Sequence, residues 1–230
     1  MTTYPASFAD RDDVERVAAN LAEVHRRITS VGGDPSAVAV VAVTKTFDAS
    51  MVRAAAAAGL VAMGENYVSE LEDKDSRTSD LELRWHFLGA LQSNKIGRIL
   101  AHADVISTVA RDKEVDRIAT LRPGMTIDVQ VDLTGATQRN GAGVDEVEAL
   151  VGRARERGLD VRGLMTVASP DPAAARAQFA AVGRLADELG LRGRSMGMSD
   201  DLESAVELGS TEIRVGRALF GPRTATRALA

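Results

Sequence analysis

The feature that most constrains this chain is an alternation of short apolar runs with helical segments, repeated eight times between residues 37 and 215. The first run, residues 37–43, is continuously apolar and rich in valine. It is too short for a helix and hydrophobic on both faces, which is typical of a buried parallel strand. Because alternating strands and helices require right-handed parallel crossovers, the pattern predicts an α/β fold.

Eight repeats with one extra helix in front favour a closed (β/α)8 barrel, the TIM barrel, over an open doubly wound sheet. The open sheet stays possible from the pattern alone, although no Gly-x-Gly-x-x-Gly follows the first strand. The predicted strands are residues 37–43, 60–63, 85–88, 105–106, 125–131, 161–165, 191–196 and 212–215. The predicted helices are residues 12–28, 50–58, 68–74, 93–102, 111–121, 144–157, 172–189 and 200–208. No linker or low-complexity stretch interrupts them, so we expect one domain over residues 1–230.

Composition excludes several classes of function. The chain has no cysteine, which excludes disulfides, thiolate nucleophiles, cysteine-ligated zinc and iron–sulfur clusters. Its three histidines are scattered, and its net charge of −5 comes without a basic block, which argues against metal, nucleic-acid and anionic-membrane sites. No apolar run approaches the ~20 residues of a membrane span, and the first ten residues do not resemble a secretory signal. We therefore expect a cytoplasmic protein.

Polar residues follow the predicted strands. In a barrel the active site lies at the carboxyl ends of the strands. That rim collects a lysine, an asparagine, a histidine, hydroxyl groups, glycines and an arginine, without an obvious carboxylate pair. The residues concerned are Lys45, Asn66, His86, Met165, the segment 195–199, Arg214 and Gly216.

Lys45 is the most distinctive residue of this rim. Strand alternation places Val41, Val43 and Lys45 on one side. If that side lines the barrel, the amine emerges from an apolar wall, where the pKa of an ammonium falls and the free amine can attack a carbonyl. The alternative is a solvated lysine in a loop.

The glycine-rich ends of the seventh and eighth strands predict a phosphate site. In this fold a phosphate commonly binds backbone N–H groups after these two strands. The segment 195–199 and Gly216 fit that role. Alternatively, Ser199 or Asp200 caps the next helix, with Glu203 closing a capping box, and the glycines only form turns.

The other rim residues also have structural alternatives. His86 lies between two aromatic residues and could be a packed, hydrogen-bonded histidine. Asn66 could simply start a helix, and Met165 and Met196 could fill gaps in the core.

A nucleophilic amine together with an anion site describes a pocket for a phosphorylated carbonyl compound that is held covalently. Two candidates follow: a class I aldolase acting on a sugar phosphate, and a binder of pyridoxal 5′-phosphate (PLP). Arg214 favours the second, since it could face a pyridine nitrogen, whereas an aldolase needs further groups that shuttle protons.

Six blocks of sequence carry a resemblance to a known family. The chain resembles the YggS/PROSC family of pyridoxal phosphate homeostasis proteins from about residue 38 to 223. The blocks are residues 42–46 (Ala-Val-Thr-Lys-Thr), 64–68 (Gly-Glu-Asn-Tyr-Val), 85–95, 163–165, 195–200 and 209–221. The resemblance implies a barrel like the N-terminal domain of alanine racemase.

By the same resemblance Lys45 forms the internal aldimine, Asn66 and His86 lie beside the cofactor ring, and Arg214 faces the ring nitrogen. An arginine there leaves that nitrogen unprotonated and makes the cofactor a weak electron sink. The implied PLP-binding residues are Lys45, Asn66, His86, Met165, Ser195, Met196, Gly197, Ser199, Arg214, Gly216 and Arg217.

Two positions depart from the family pattern. Arg139 stands where the family often has a lysine, which puts any role of that lysine in transfer or in a second cofactor site in doubt. Arg217 stands where the family usually has serine or threonine, so a hydroxyl contact to the phosphate is lost.

The remaining alternatives are an amino-acid racemase and a non-catalytic carrier. Related racemases use two bases on opposite faces of the cofactor, one of them a tyrosine from a C-terminal domain of the partner subunit. Only nine residues follow Gly221, and the only tyrosines are Tyr4 and Tyr67, neither placed to serve. We therefore expect a carrier in PLP homeostasis, monomeric, with PLP-dependent apo-enzymes as partners.

Overall fold

The protein is a closed parallel barrel. A computed structural model describes residues 9–134 and 140–222. Eight parallel strands pair in chain order, and β8 closes the barrel by pairing with β1. The strands are β1 (Ala39–Val43), β2 (Ala62–Glu65), β3 (Arg84–Phe87), β4 (Val105–Val109), β5 (Thr126–Val131), β6 (Asp160–Thr166), β7 (Gly193–Ser195) and β8 (Glu212–Val215).

A helix follows each strand, and one more precedes β1. The extra helix α1 is held at its start by Asp10, whose carboxylate accepts the Asp12 N–H, and it packs against α2, α8 and α9. The helices are α1 (Arg11–Ser30), α2 (Ala49–Ala57), α3 (Val68–Arg77), α4 (Ile96–Leu100), α5 (Asp112–Leu121), α6 (Val144–Glu156), α7 (Pro172–Glu188), α8 (Leu202–Glu207) and α9 (Arg217–Phe220).

The predicted barrel and its leading helix are confirmed, and two helices differ from expectation. Residues 93–95, predicted as the start of the fourth helix, form a turn that the Lys95 N–H closes onto the Gln92 carbonyl, so α4 begins at Ile96. The four-residue helix α9 was not predicted, because four residues are too few to show a helical period.

Aliphatic side chains fill the layer between strands and helices, with the few aromatic residues Trp85, Phe87 and Phe179 fully enclosed. The barrel interior is different in character. It buries the charged side chains of Asp128 and Glu212, joined by the partly buried Arg162.

Close strand contact makes Gly163 a sensitive position. A Cβ there would lie 2.1 Å from the Gly193 carbonyl oxygen of the neighbouring strand. We expect Gly163→Ala to lower the free energy of unfolding by about 3 kcal/mol, since the strands must separate. Gly152→Ala, in helix α6 with no atom within 4 Å of the added Cβ, should instead raise it by about 0.5–1 kcal/mol. Urea titration of both variants measures these free energies of unfolding, and equal effects of the two substitutions would contradict the prediction.

Within the two described ranges, no helix is both long enough and apolar enough to cross a membrane.

Candidate functional site

A cavity of about 1040 Å³ lies at the carboxyl ends of the strands. Its wall is formed by residues at the ends of β1, β2, β3, β6, β7 and β8 or directly after them, as expected for the site of a barrel. Val43 and Lys45 both contribute to it, so the predicted side of the first strand does face the site.

The cavity brings together seven of the eleven residues predicted from the sequence. These are Lys45, Asn66, Met165, Ser199, Arg214, Gly216 and Arg217. The other four, His86, Ser195, Met196 and Gly197, are buried and do not line the cavity. Arg139 and Tyr4 lie outside the described residues.

The loops after β7 and β8 offer unused hydrogen-bond donors. In the ranges that the structure describes, the backbone N–H groups of Ser199, Gly216 and Arg217 donate to no other residue. A Cβ at Gly216 would lie 3.2 Å from the Val43 carbonyl oxygen, so the chain passes close to β1 here. Grouped amides of this kind suit an anion such as a phosphate.

The capping-box alternative for this loop is wrong. The Ser199 hydroxyl accepts the Ala218 N–H at 3.1 Å, so it links the loop after β7 to helix α9. Helix α8 begins at Leu202 without a side-chain cap, and Glu203 instead binds Arg27 of helix α1 at 2.6 Å. Arg27 also donates to the Ser199 carbonyl at 2.9 Å. The extra helix therefore holds the loop after β7 in place.

Arg217 brings a positive charge to the same side of the cavity. Its guanidinium binds the Asp200 carboxylate at 2.5 Å, and both side chains are exposed. Exposed ion pairs are weak, so this arginine can exchange its partner at little cost.

Arg214 projects from β8 and is only 5% exposed. Its guanidinium donates to the Ser195 carbonyl and hydroxyl at 2.6 and 2.8 Å and to the Thr166 carbonyl at 2.6 Å. Burial lowers the pKa of this guanidinium from its ordinary value. These neutral acceptors fix its orientation at the cavity wall.

A buried ionic network in the barrel interior holds Arg214 in place through Ser195. Ser195 donates to the Glu212 carboxylate at 2.7 Å, and Arg162 bridges Glu212 and Asp128 at 2.6 and 2.5 Å. Burial is the largest single effect and acts to raise the pKa of Glu212, but the charges of Arg162 and His86 and the hydrogen bonds from Arg162 and Ser195 together outweigh it, so the net shift is downward. Ser195 thus contributes by holding Arg214 rather than by reaching the cavity.

His86 lies in the barrel interior and is only 2% exposed. Its Nδ1 is 3.8 Å from Glu212 Oε2 and has no hydrogen-bond partner among the described residues. Burial lowers its pKa, with Glu212 opposing and Arg162 reinforcing the shift, and with smaller effects of Asp128 and Arg84. The ring is therefore neutral at pH 7.

The lowered pKa of His86 makes stability depend on pH. In the unfolded chain, His86 takes up a proton near pH 6.5, its ordinary pKa, whereas in the folded chain it does so only at lower pH. The resulting contribution of His86 to the free energy of unfolding is fully present above pH 6.5 and is lost as the pH falls toward the pKa of the folded state. Chemical denaturation between pH 7.5 and 5 should show a slope of up to about 1.4 kcal/mol per pH unit.

His86→Phe should reduce that slope, and His25→Gln, on the outer helix α1, should leave it unchanged. Equal slopes in wild type and His86→Phe would contradict the assignment of the slope to His86.

The turn that carries Lys45 is held by three residues that the sequence reasoning missed. Lys74, buried in helix α3, donates to Glu65 at 2.6 Å and to Glu70 at 2.7 Å. Glu70 and Lys74 are spaced i, i+4 on one helix, and Glu65 lies inside the family block 64–68, so a signal was present. What the pattern could not show is that all three meet beneath the turn after β1.

Comparison with known proteins agrees with this geometry. The family model "Alanine racemase, N-terminal domain" matches residues 13–224. A pyridoxal phosphate homeostasis protein of Pseudomonas aeruginosa is 40% identical over 90% of this chain and 96% of its own length. One from Escherichia coli K12 is 35% identical over 90% and 97%. The chain belongs to the family of the pyridoxal phosphate homeostasis proteins.

A solved structure extends the match to three dimensions. PipY of Synechococcus elongatus, with PLP bound, is 34% identical, has a TM-score of 0.78, and aligns over 89% of this chain and all of its own. The resemblance to pyridoxal phosphate homeostasis proteins and to an alanine racemase-like barrel, predicted from six sequence blocks, is confirmed.

Proposed function

We propose that this protein binds PLP reversibly, holds it as a Schiff base on Lys45, and serves in PLP homeostasis without catalytic turnover. One observation carries the proposal: a single cavity is lined by Lys45, Arg214 and a loop pair with unused N–H donors. The relatives named for PLP homeostasis, and PipY with PLP bound, support the same ligand.

The cavity suits the chemistry of PLP. Its backbone donors at Ser199, Gly216 and Arg217 match a phosphate dianion, and Lys45 supplies a primary amine. When bound, PLP supplies an aldehyde that condenses with an amine: the nitrogen attacks the carbonyl carbon, a C=N bond forms, and the oxygen leaves as water. Asn66 and Met165 complete the wall, and we assign them to the cofactor ring.

Arg214 limits the chemistry that the bound cofactor can perform. A guanidinium has only donors, so a pyridine nitrogen that faces it accepts a hydrogen bond and stays unprotonated. The network through Ser195 and Glu212 keeps this donor in place. Such a ring withdraws electrons poorly, which fits storage better than carbanion formation.

Proton transfer at a substrate carbon, as related racemases perform it, uses a tyrosine as the second base. Among the cavity-lining residues that the structure describes, none is a tyrosine or a histidine. Tyr67 is 55% exposed and lies outside the lining, and His86 is enclosed in the barrel interior. Exchange of a substrate α-proton should therefore be slow.

We further propose that the protein is a cytoplasmic monomer that passes PLP to apo-enzymes. The observation that supports transfer is that two partly exposed apolar residues line the cavity: Val167 and Met198, at 39% and 37% exposure. Light scattering at increasing concentration should give a constant monomer mass, and a mass of two chains would contradict the monomer.

The function is tested by combining a spectrum with a turnover assay. Purified protein mixed with PLP should develop the absorbance band of a protonated Schiff base. With excess L-alanine in deuterium oxide, NMR should detect no α-proton exchange above that of free PLP. Exchange over many turnovers, abolished by Lys45→Ala, would favour a racemase.

A further inference from the structure

Both peptide groups of Lys45 are held by the same buried cluster. On the N-terminal side, the Thr44 carbonyl accepts a hydrogen bond from Lys74 Nζ at 2.8 Å. On the C-terminal side, the Thr46 N–H donates to Glu70 Oε2 at 2.7 Å. The Thr44 hydroxyl is also held, since it donates to Glu65 Oε1 at 2.6 Å. The backbone of Lys45 is therefore clamped from both ends.

The clamp is an ion-pair cluster with little access to water. The side chains of Lys74 and Glu65 are 3% and 0% exposed, whereas that of Glu70 is 27% exposed. Lys74 Nζ has three acceptors within 2.8 Å: two carboxylates and the Thr44 carbonyl. Because an ammonium has three protons, every donor of Lys74 is used, and none remains for a ligand.

The clamped backbone is strained. Thr46 has φ +69°, the only non-glycine residue with positive φ in the described ranges. A β-branched residue is unfavourable in that region, and such strain persists only where the surroundings enforce it. Thr46 is exposed and follows the end of β1, so its own side chain adds no core packing that would favour this conformation.

We propose that Lys74, Glu65 and Glu70 are positioning residues for Lys45: the cluster holds the strained turn that presents the Lys45 amine to the cavity. The proposal rests on the proposed attachment of PLP at Lys45. It assigns the cluster to formation of the covalent bond and not to binding of the phosphate, which the proposed function places on the loops after β7 and β8.

Comparison of two ligands separates an effect on covalent attachment at Lys45 from an effect on phosphate binding. PLP can bind the anion site and also form a Schiff base, whereas pyridoxine 5′-phosphate carries a hydroxymethyl group in place of the aldehyde and cannot. For Glu70→Ala we expect the Kd for PLP to rise about tenfold, because release of the strained turn lowers the fraction of chains with Lys45 in place. The Kd for pyridoxine 5′-phosphate should change by less than about twofold.

Conservative replacement and relief of strain sharpen the test. Glu70→Gln keeps an oxygen acceptor for the Thr46 N–H and should recover most of the PLP affinity. In a Thr46→Gly background, where glycine tolerates the turn, Glu70→Ala should cost much less than tenfold. Glu72→Ala, on the same helix with its exposed partner Arg98, is the matched control and should bind both ligands as wild type does.

The binding measurements have outcomes that support the positioning role and outcomes that overturn it. A larger loss of PLP than of pyridoxine 5′-phosphate binding, rescued by glutamine, supports the positioning role. An equal loss of both ligands means that Glu70 only supports the fold and overturns it, as does unchanged PLP binding in Glu70→Ala. If wild type itself shows no Schiff-base band, the proposed function fails rather than the positioning role. Lys74→Met, with its folding checked by circular dichroism and thermal melting, should give a larger PLP-selective loss.

Discussion

We expect Lys45→Ala to abolish the Schiff-base absorbance and to weaken PLP binding by at least about 100-fold, equivalent to ~2.7 kcal/mol. Lys45 is the one lysine among the cavity-lining residues described, so no other described amine there can replace it. The side chain is half-buried at the rim and outside the apolar core, so the free energy of unfolding should change by less than about 1 kcal/mol. Absorbance titration with PLP measures the first effect and urea titration the second.

Two controls accompany this variant. Lys95→Ala, at a lysine outside the cavity lining, should retain the wild-type spectrum and PLP affinity. Pyridoxine 5′-phosphate should bind Lys45→Ala nearly as well as wild type, because its phosphate uses the backbone donors of other loops. A Lys45→Ala protein that keeps the absorbance band would contradict the assignment.

Arg162→Met should destabilise the fold strongly. It leaves the carboxylates of Asp128 and Glu212, which are 1% and 6% exposed, without their bridging cation. Breaking a buried ion pair in this way costs about 3–5 kcal/mol of unfolding free energy. Arg153→Met removes a cation of similar size from an exposed pair with Asp116 and should cost less than about 1 kcal/mol.

The loss of unfolding free energy in Arg162→Met should also depend on pH. In wild type the net pKa of Glu212 lies below its ordinary 4.5, so its ionisation stabilises the fold above pH 4.5, and this contribution is lost as the pH falls. The variant lacks that contribution, so its deficit should be largest near pH 7 and shrink below pH 4.5. Guanidinium titrations at pH 7 and 4 measure the deficit, and a deficit that grows on acidification would contradict the network.

The order and type of the main elements could be predicted from the sequence because they depend on local pattern. Apolar runs such as residues 37–43, bounded by turn residues, indicate buried strands without knowledge of their neighbours. The residues at the strand ends, among them Lys45 and Arg214, followed from the general position of active sites in barrels.

The groups beneath the site could not be predicted in the same way. Glu212 and Arg162 are 50 positions apart in the chain and meet only because β6 and β8 both face the barrel interior. Ser195 was expected near the phosphate, whereas the structure places it under Arg214. Which of several polar residues on a short strand reaches the cavity depends on register and tilt, and these come from closure of the whole sheet.

The central claim is that PLP is held on Lys45, and chemical trapping tests it most directly. The chain has four lysines, Lys45, Lys74, Lys95 and Lys113, so the site of attachment can be read without ambiguity. Borohydride reduction of the protein with stoichiometric PLP, followed by proteolysis and mass spectrometry, should place the phosphopyridoxyl group on Lys45 alone. Modification chiefly at Lys74, Lys95 or Lys113, or none at all, would contradict it.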